Sequence, residues 1–129
     1  MILFYATENN HVVETLERQL ADFKVVRCRS IDTMGKRLRT PRHGLEVALL
    51  VVSARDDEMA QLSTIRNLFR DLRLVMVLPR RDDEVVAWAH KLGPRFIAYA
   101  DNGYDQVGAV LEKLMQANRR QPDPIEVEL

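Results

Sequence analysis

Residues Val47–Val52 read VALLVV, six apolar side chains without a break. A strand made of such a run has no polar face to offer water, so it must be covered on both sides. Leu74–Leu78, LVMVL, repeats the pattern. Two strands of this kind in one short chain demand a parallel sheet with helices packed over each face. The rest of the sequence supplies the helices.

Apolar residues recur at helical spacing through Val12, Val13, Leu16, Leu20 and Phe23, behind an Asn9 or Asn10 cap. Lys24–Arg29 reads as a strand nearer an edge, and Ser30 caps a short helix carrying Ile31, Met34 and Leu38. Thr40-Pro41 stops that helix, and Gly44 lies in the loop beyond. Asp56–Leu72 is expected as one helix with acids in its first turn, facing inward through Met59, Leu62, Ile65, Phe69 and Leu72. Asp82, Asp83 and Glu84 open the next helix, and Gly93 sits where a residue just past a helix end belongs. Phe96–Ala100 is the fifth strand, and Asp105 caps a last helix. Ile2–Ala6 is the first strand, so five strand–helix units run in series. Right-handed crossovers leave few topologies for such a series. The first, third and fourth strands are the most apolar, which places them centrally and gives the order 2-1-3-4-5, a three-layer α/β flavodoxin-like fold. This domain is expected over residues 1–120. Residues 121–129, QPDPIEVEL, form a Pro- and acid-rich tail or linker.

Global properties bound the function. The chain has 129 residues, enough for one domain with a real core. Lys plus Arg equals Asp plus Glu at 19 each, so no net field draws the protein to nucleic acid or membrane. No apolar run is long enough to span a bilayer. The N-terminus lacks a signal-peptide pattern, and Cys28 is the single cysteine, so the expected compartment is the cytoplasm.

Three stretches carry a resemblance: ILFYATE at 2–8, LEVALLVVSARDDE at 45–58, and RLVMVLPRRDDEVVAWAHKLGPRFIAYA at 73–100. In element order and local phrasing the chain resembles a CheY-like response-regulator receiver domain over roughly its first 120 residues. That resemblance implies a magnesium-dependent phospho-acceptor site at the carboxyl ends of the strands. It also implies the residues that should stand there, and this sequence lacks them. The acidic pair falls on Ala6 and Thr7, with Glu8 next door. The acceptor aspartate falls on Val51, which cannot form an acyl phosphate. The hydroxyl residue falls on Pro79, the lysine on Ala100, and the aromatic switch residue near Ile97. The chain therefore resembles a degenerate receiver, without phosphotransfer, metal or cofactor.

Other groups are weighed beside that expectation. Arg55, Arg80 and Arg81 stand just past the third and fourth strands, where doubly wound sheets bind ligands, and could hold an anion. Pairing with the neighbouring Asp56, Asp57, Asp82 and Asp83 is the stronger expectation, and no Gly-rich phosphate loop supports the anion. The segment with Lys24, Arg27, Arg29, Lys36, Arg37, Arg39 and Arg42 is basic. It contains no nucleic-acid-binding motif, so a solvated basic face is expected. His11, His43 and His90 lack ligand spacing. Trp88 is offset from Val85 and Ala89 on the fourth helix. With Tyr99 and the last helix it would form an apolar patch on the face that receivers use to dimerise. A tryptophan half-buried against its own sheet is the equal alternative. The sequence thus points to a non-enzymatic pseudo-receiver that docks an unknown protein partner or pairs with itself, and secondly to an anion sensor.

Overall fold

The computed structural model describes residues 1–40, 48–52, 56–69 and 71–120, with the backbone alone at 56 and 116–120. Five strands form one parallel sheet: β1 (Ile2–Tyr5), β2 (Val25–Cys28), β3 (Ala48–Val52), β4 (Arg73–Leu78) and β5 (Phe96–Tyr99). Their order is β2-β1-β3-β4-β5, as the apolar content of the strands leads one to expect. Every residue of β1 and β3 is buried, because both strands have neighbours in the sheet and helices over each face.

The helices are α1 (His11–Gln19), α2 (Ile31–Arg39), α3 (Asp56–Thr64), α4 (Asp83–Leu92) and α5 (Val107–Arg120). Local chemistry fixes their starts. The Asn10 side chain accepts from the Val13 amide at 3.0 Å, and Ser30 Oγ accepts from the Thr33 amide at 3.1 Å. Asp82 caps α4, and Gly93 ends it with φ 71°, a left-handed conformation that glycine adopts without strain. Alternation along the strands divides the core in two. Leu3, Tyr5, Leu49 and Val51 face α2, α3 and α4, whereas Phe4, Leu50, Val52 and Val77 face α1 and α5.

Three expectations, two about helix length and one about a cap, are corrected. The expected helix Asp56–Leu72 stops at Thr64 and is followed by a 3-10 turn at Arg66–Leu68. The Thr64 hydroxyl donates to the Gln61 carbonyl at 2.6 Å, a local bond that competes with the helical ladder. Phe69 still reaches the core, at 2% exposure. The first helix ends at Gln19, so Phe23 packs from the following loop. Asp105 lies inside a 3-10 turn, Tyr104–Gln106, and does not cap α5. Val47, Gly44, Arg42 and the tail 121–129 fall outside the described residues.

Candidate functional site

The carboxyl ends of the strands form one rim. Parallel register sets Tyr5 of β1 opposite Val51 of β3, and Val51 opposite Met76 of β4. The Ala100 amide donates to the Leu78 carbonyl at 2.8 Å, which carries the rim across to the end of β5. Ala6, Val51, Pro79 and Ala100, singled out from the sequence, therefore follow one edge of the sheet. Val51 is 1% exposed and Ala6 is equally buried, Pro79 and Ala100 are half-buried, and Thr7 is exposed. Burying a valine in this way stabilises the fold by about 1.5–3 kcal/mol.

Beneath the rim lies a polar pair that the sequence did not announce. The Tyr5 hydroxyl donates to a carboxylate oxygen of Glu58 in α3. Glu58 is 4% exposed, the buried charged residue of the described chain. A buried carboxylate is tolerable only with donors. In sequence, Glu58 belongs to a run of acids that reads as a solvated helix start. The missed signal is its position four residues before Leu62, which puts it on the inward side of α3. The pair ties the end of β1 to the start of α3, on the same side of the sheet as Val51.

Arg27 also departs from expectation. It belongs to the segment expected as a solvated basic face, and Lys24, Arg29, Lys36, Arg37 and Arg39 are indeed exposed. Arg27 instead turns inward across β1. One terminal nitrogen pairs with Glu17 at 3.1 Å. The other donates to the carbonyls of Ala6 (3.1 Å) and Glu8 (3.3 Å) and to Asn9 Oδ1 (3.2 Å). Its guanidinium lies 5.3 Å from the Phe4 ring centroid, and its Nε is buried without a hydrogen-bond partner. Burial pulls its pKa below the ordinary arginine value, with Glu17 opposing. The loop joining β1 to α1, where the resemblance implies acids that hold a metal, is here clamped by a cation through its backbone carbonyls. Cys28, next along β2, is buried, and burial raises its thiol pKa.

Arg80 pairs with Asp82 at 3.3 Å, the neighbour pairing expected from sequence. Donation from the Glu84 amide, and then from Arg80, holds the Asp82 carboxyl below the usual carboxylate range. Arg81 stacks on the Tyr99 ring at 4.2 Å. Arg55 lies outside the described residues, so the three arginines are not seen together. Trp88 is half-buried and, like Val86, Ile97 and Tyr99, packs against the edge of the core, with Lys91 at 4.6 Å over its ring. Among the described residues, no three His, Cys, Asp or Glu side chains gather as metal ligands. No helix among them is long and apolar enough to cross a membrane.

No protein-family model matches the chain. No curated protein matches it either. Solved structures do. A CheY-like response regulator receiver domain protein from Methanospirillum hungatei JF-1 superposes with a TM-score of 0.71 at 10% identity, over 93% of this chain and 96% of that one. A CheY-like protein from Pseudomonas aeruginosa PAO1 gives 0.64 at 16% identity, over 88% and 98%. A structure described as adenylate cyclase from Rhodopirellula baltica gives 0.63 at 15% identity, over 98% and 92%. At these identities the likeness carries the fold and leaves the chemistry to the residues. The chain has the fold of CheY-like receiver domains.

Proposed function

We propose that this receiver-fold chain is a non-catalytic, cytoplasmic signalling module that works through protein contacts, without aspartyl phosphorylation. One observation carries the reading: the rim position opposite Tyr5 is Val51, a buried apolar residue with no oxygen to accept a phosphoryl group. The groups around it agree. Ala6 offers no carboxylate, Pro79 no hydroxyl and Ala100 no ammonium, and Arg27 puts positive charge beside the loop where a metal would need negative charge. The partner is a protein, with nucleic acid not expected. Pairing of two copies through the α4–β5–α5 face, around Trp88 and Tyr99, is the specific contact proposed. Half-buried aromatics there leave apolar edges for a second surface. Incubation with acetyl phosphate and Mg²⁺, followed by intact mass, should leave the protein unmodified. A stable phosphoryl adduct sinks the proposal. Substituting Trp88 by Glu should keep the fold and shift sedimentation to monomer, and a wild type that is already monomeric at high concentration removes the pairing.

The second reading is an anion sensor at the strand ends. Arg81, which has no carboxylate partner among the described residues, favours it, and Arg80, already paired with Asp82, weakens it. Titration with inorganic phosphate and a nucleotide, followed by the amide shifts of residues 80–82, separates the two readings.

A further inference from the structure

α1 and α5 cover one face of the sheet, and a cavity of about 470 Å³ opens between them. Gly108, Glu112 and Met115 recur at helical spacing, so they share one side of α5, and Asp105 joins them from the 3-10 turn before it. Across from them stand Gln19, at the end of α1, and Asp22 and Phe23 in the loop beyond. Gln19 ties the two sides together, accepting from the Gly108 amide at 2.7 Å and donating to the Tyr104 carbonyl at 3.2 Å.

The lining has two layers. Phe23 is half-buried and Met115 is buried, so the inner wall is apolar. Asp22, Asp105 and Glu112 are exposed, so the rim is acidic. Lys and Arg side chains match both layers at once, with an aliphatic stem for the wall and a charged head for the rim. The cavity therefore selects a basic side chain.

This chain carries such a surface itself. The last turn of α2 holds Lys36, Arg37 and Arg39, all exposed. Met34 and Leu38 fasten α2 to the half of the core opposite α1 and α5, so the basic helix end and the acidic cavity lie over opposite faces of the sheet. The formal net charge is zero, so no net repulsion keeps two copies apart.

We propose that the basic end of α2 in one copy docks on the acidic α1–α5 cavity of the next. The two surfaces differ, so the contact is heterologous. Because they lie over opposite faces, one copy can offer α2 and accept at its cavity at the same time. Copies then add head to tail, in an open series or a ring, instead of stopping at a two-fold pair. Exposed ion pairs contribute little each, so the association is weak and depends on concentration. The contact uses neither Trp88 nor Tyr99 and goes beyond the pairing proposed above.

Sedimentation velocity of the full chain over a concentration series at low ionic strength tests this. Species larger than a dimer should appear, and their share should grow with concentration. At ~1 M salt, where the Debye length is about 3 Å, the association constant should fall by about tenfold or more. K36E/R39E sets acid against acid, and D22K/D105K sets base against base, so each variant alone should lose the growth. Mixed in equal amounts they should regain it, since α2 of the second then meets the cavity of the first. An unfolded variant cannot be rescued in this way. Trp88→Glu should keep the salt-sensitive growth, which separates this contact from pairing at Trp88. A wild type that stays monomeric or dimeric across the series overturns the proposal. Growth that both variants retain overturns it too, as does a mixture that stays as small as its components. A lysine-rich peptide that shifts the amides of residues 105–112, with no self-association, assigns the cavity to another protein and overturns the pairing of copies.

Discussion

The Tyr5 hydroxyl donates to the buried Glu58 carboxylate, joining the last residue of β1 to the first turn of α3. In a receiver fold this is the region where the resemblance implies acids, a metal and a phosphoryl group. Here a neutral hydroxyl donates to a carboxylate beside an apolar cluster and links β1 to α3.

Substituting Tyr5 by Phe should therefore cost about 1–3 kcal/mol, because it leaves a buried carboxylate short of a donor. Glu58→Gln should cost less than Glu58→Ala, since the amide still accepts from Tyr5. Urea midpoints at constant m-value measure both. An unchanged midpoint for Tyr5→Phe contradicts the buried pair.

Val51→Asp should be destabilising by several kcal/mol, as an unpaired carboxylate in the α2–α4 cluster either loses its hydration or stays protonated. It should not restore phosphorylation, because Ala6, Pro79 and Ala100 remain. Thermal melts and intact mass after acetyl phosphate treatment check the two halves. A variant that melts like the parent places Val51 at the surface.

Arg27→Lys should lose most of what Arg27→Ala loses, about 1–3 kcal/mol, despite keeping the charge. A single ammonium cannot reach Glu17, two carbonyls and Asn9 at once while lying over Phe4. The amide shifts of residues 6–10 should move in both variants. A lysine variant as stable as the parent, with those shifts unmoved, shows that charge alone suffices.

Gly108→Ala sets two effects against each other. In a helix interior alanine is favoured over glycine by about 1 kcal/mol, and Gly108, the second residue of α5, gains at most that. A Cβ at Gly108, however, falls 3.0 Å from Cβ and Oε1 of Gln19 and 3.4 Å from the Gln19 carbonyl oxygen. Gln19 is held there, accepting from the Gly108 amide at 2.7 Å and donating to the Tyr104 carbonyl at 3.2 Å. The clash should win, so the variant melts lower. In a Gln19→Gly background both the Cβ and the Oε1 contacts are gone, and the same substitution should cost less. Equal costs in the two backgrounds would mean that Gln19 is not the obstacle.

The sequence by itself determined the sheet. Unbroken apolar runs in β3 and β4 can be satisfied only between two helical layers, and caps such as Asn10, Ser30, Asp82 and Gly93 act within a few residues of themselves. That Val51 offers no carboxylate was legible for the same reason, since no other part of the chain changes what a valine can do. Tertiary structure alone decided the rest. Tyr5 meets Glu58 across 53 positions, and Gln19 meets Gly108 across 89, distances over which no local periodicity speaks. Arg27 read as one more solvated cation because its spacing says nothing of the carbonyls of Ala6 and Glu8 that the β1–β2 pairing brings beside it. The end of α3 is not legible in the sequence because apolar spacing continues through Phe69, while the backbone beyond Thr64 tightens to 3-10 bonds such as Ile65 to Leu62 and Leu68 to Ile65.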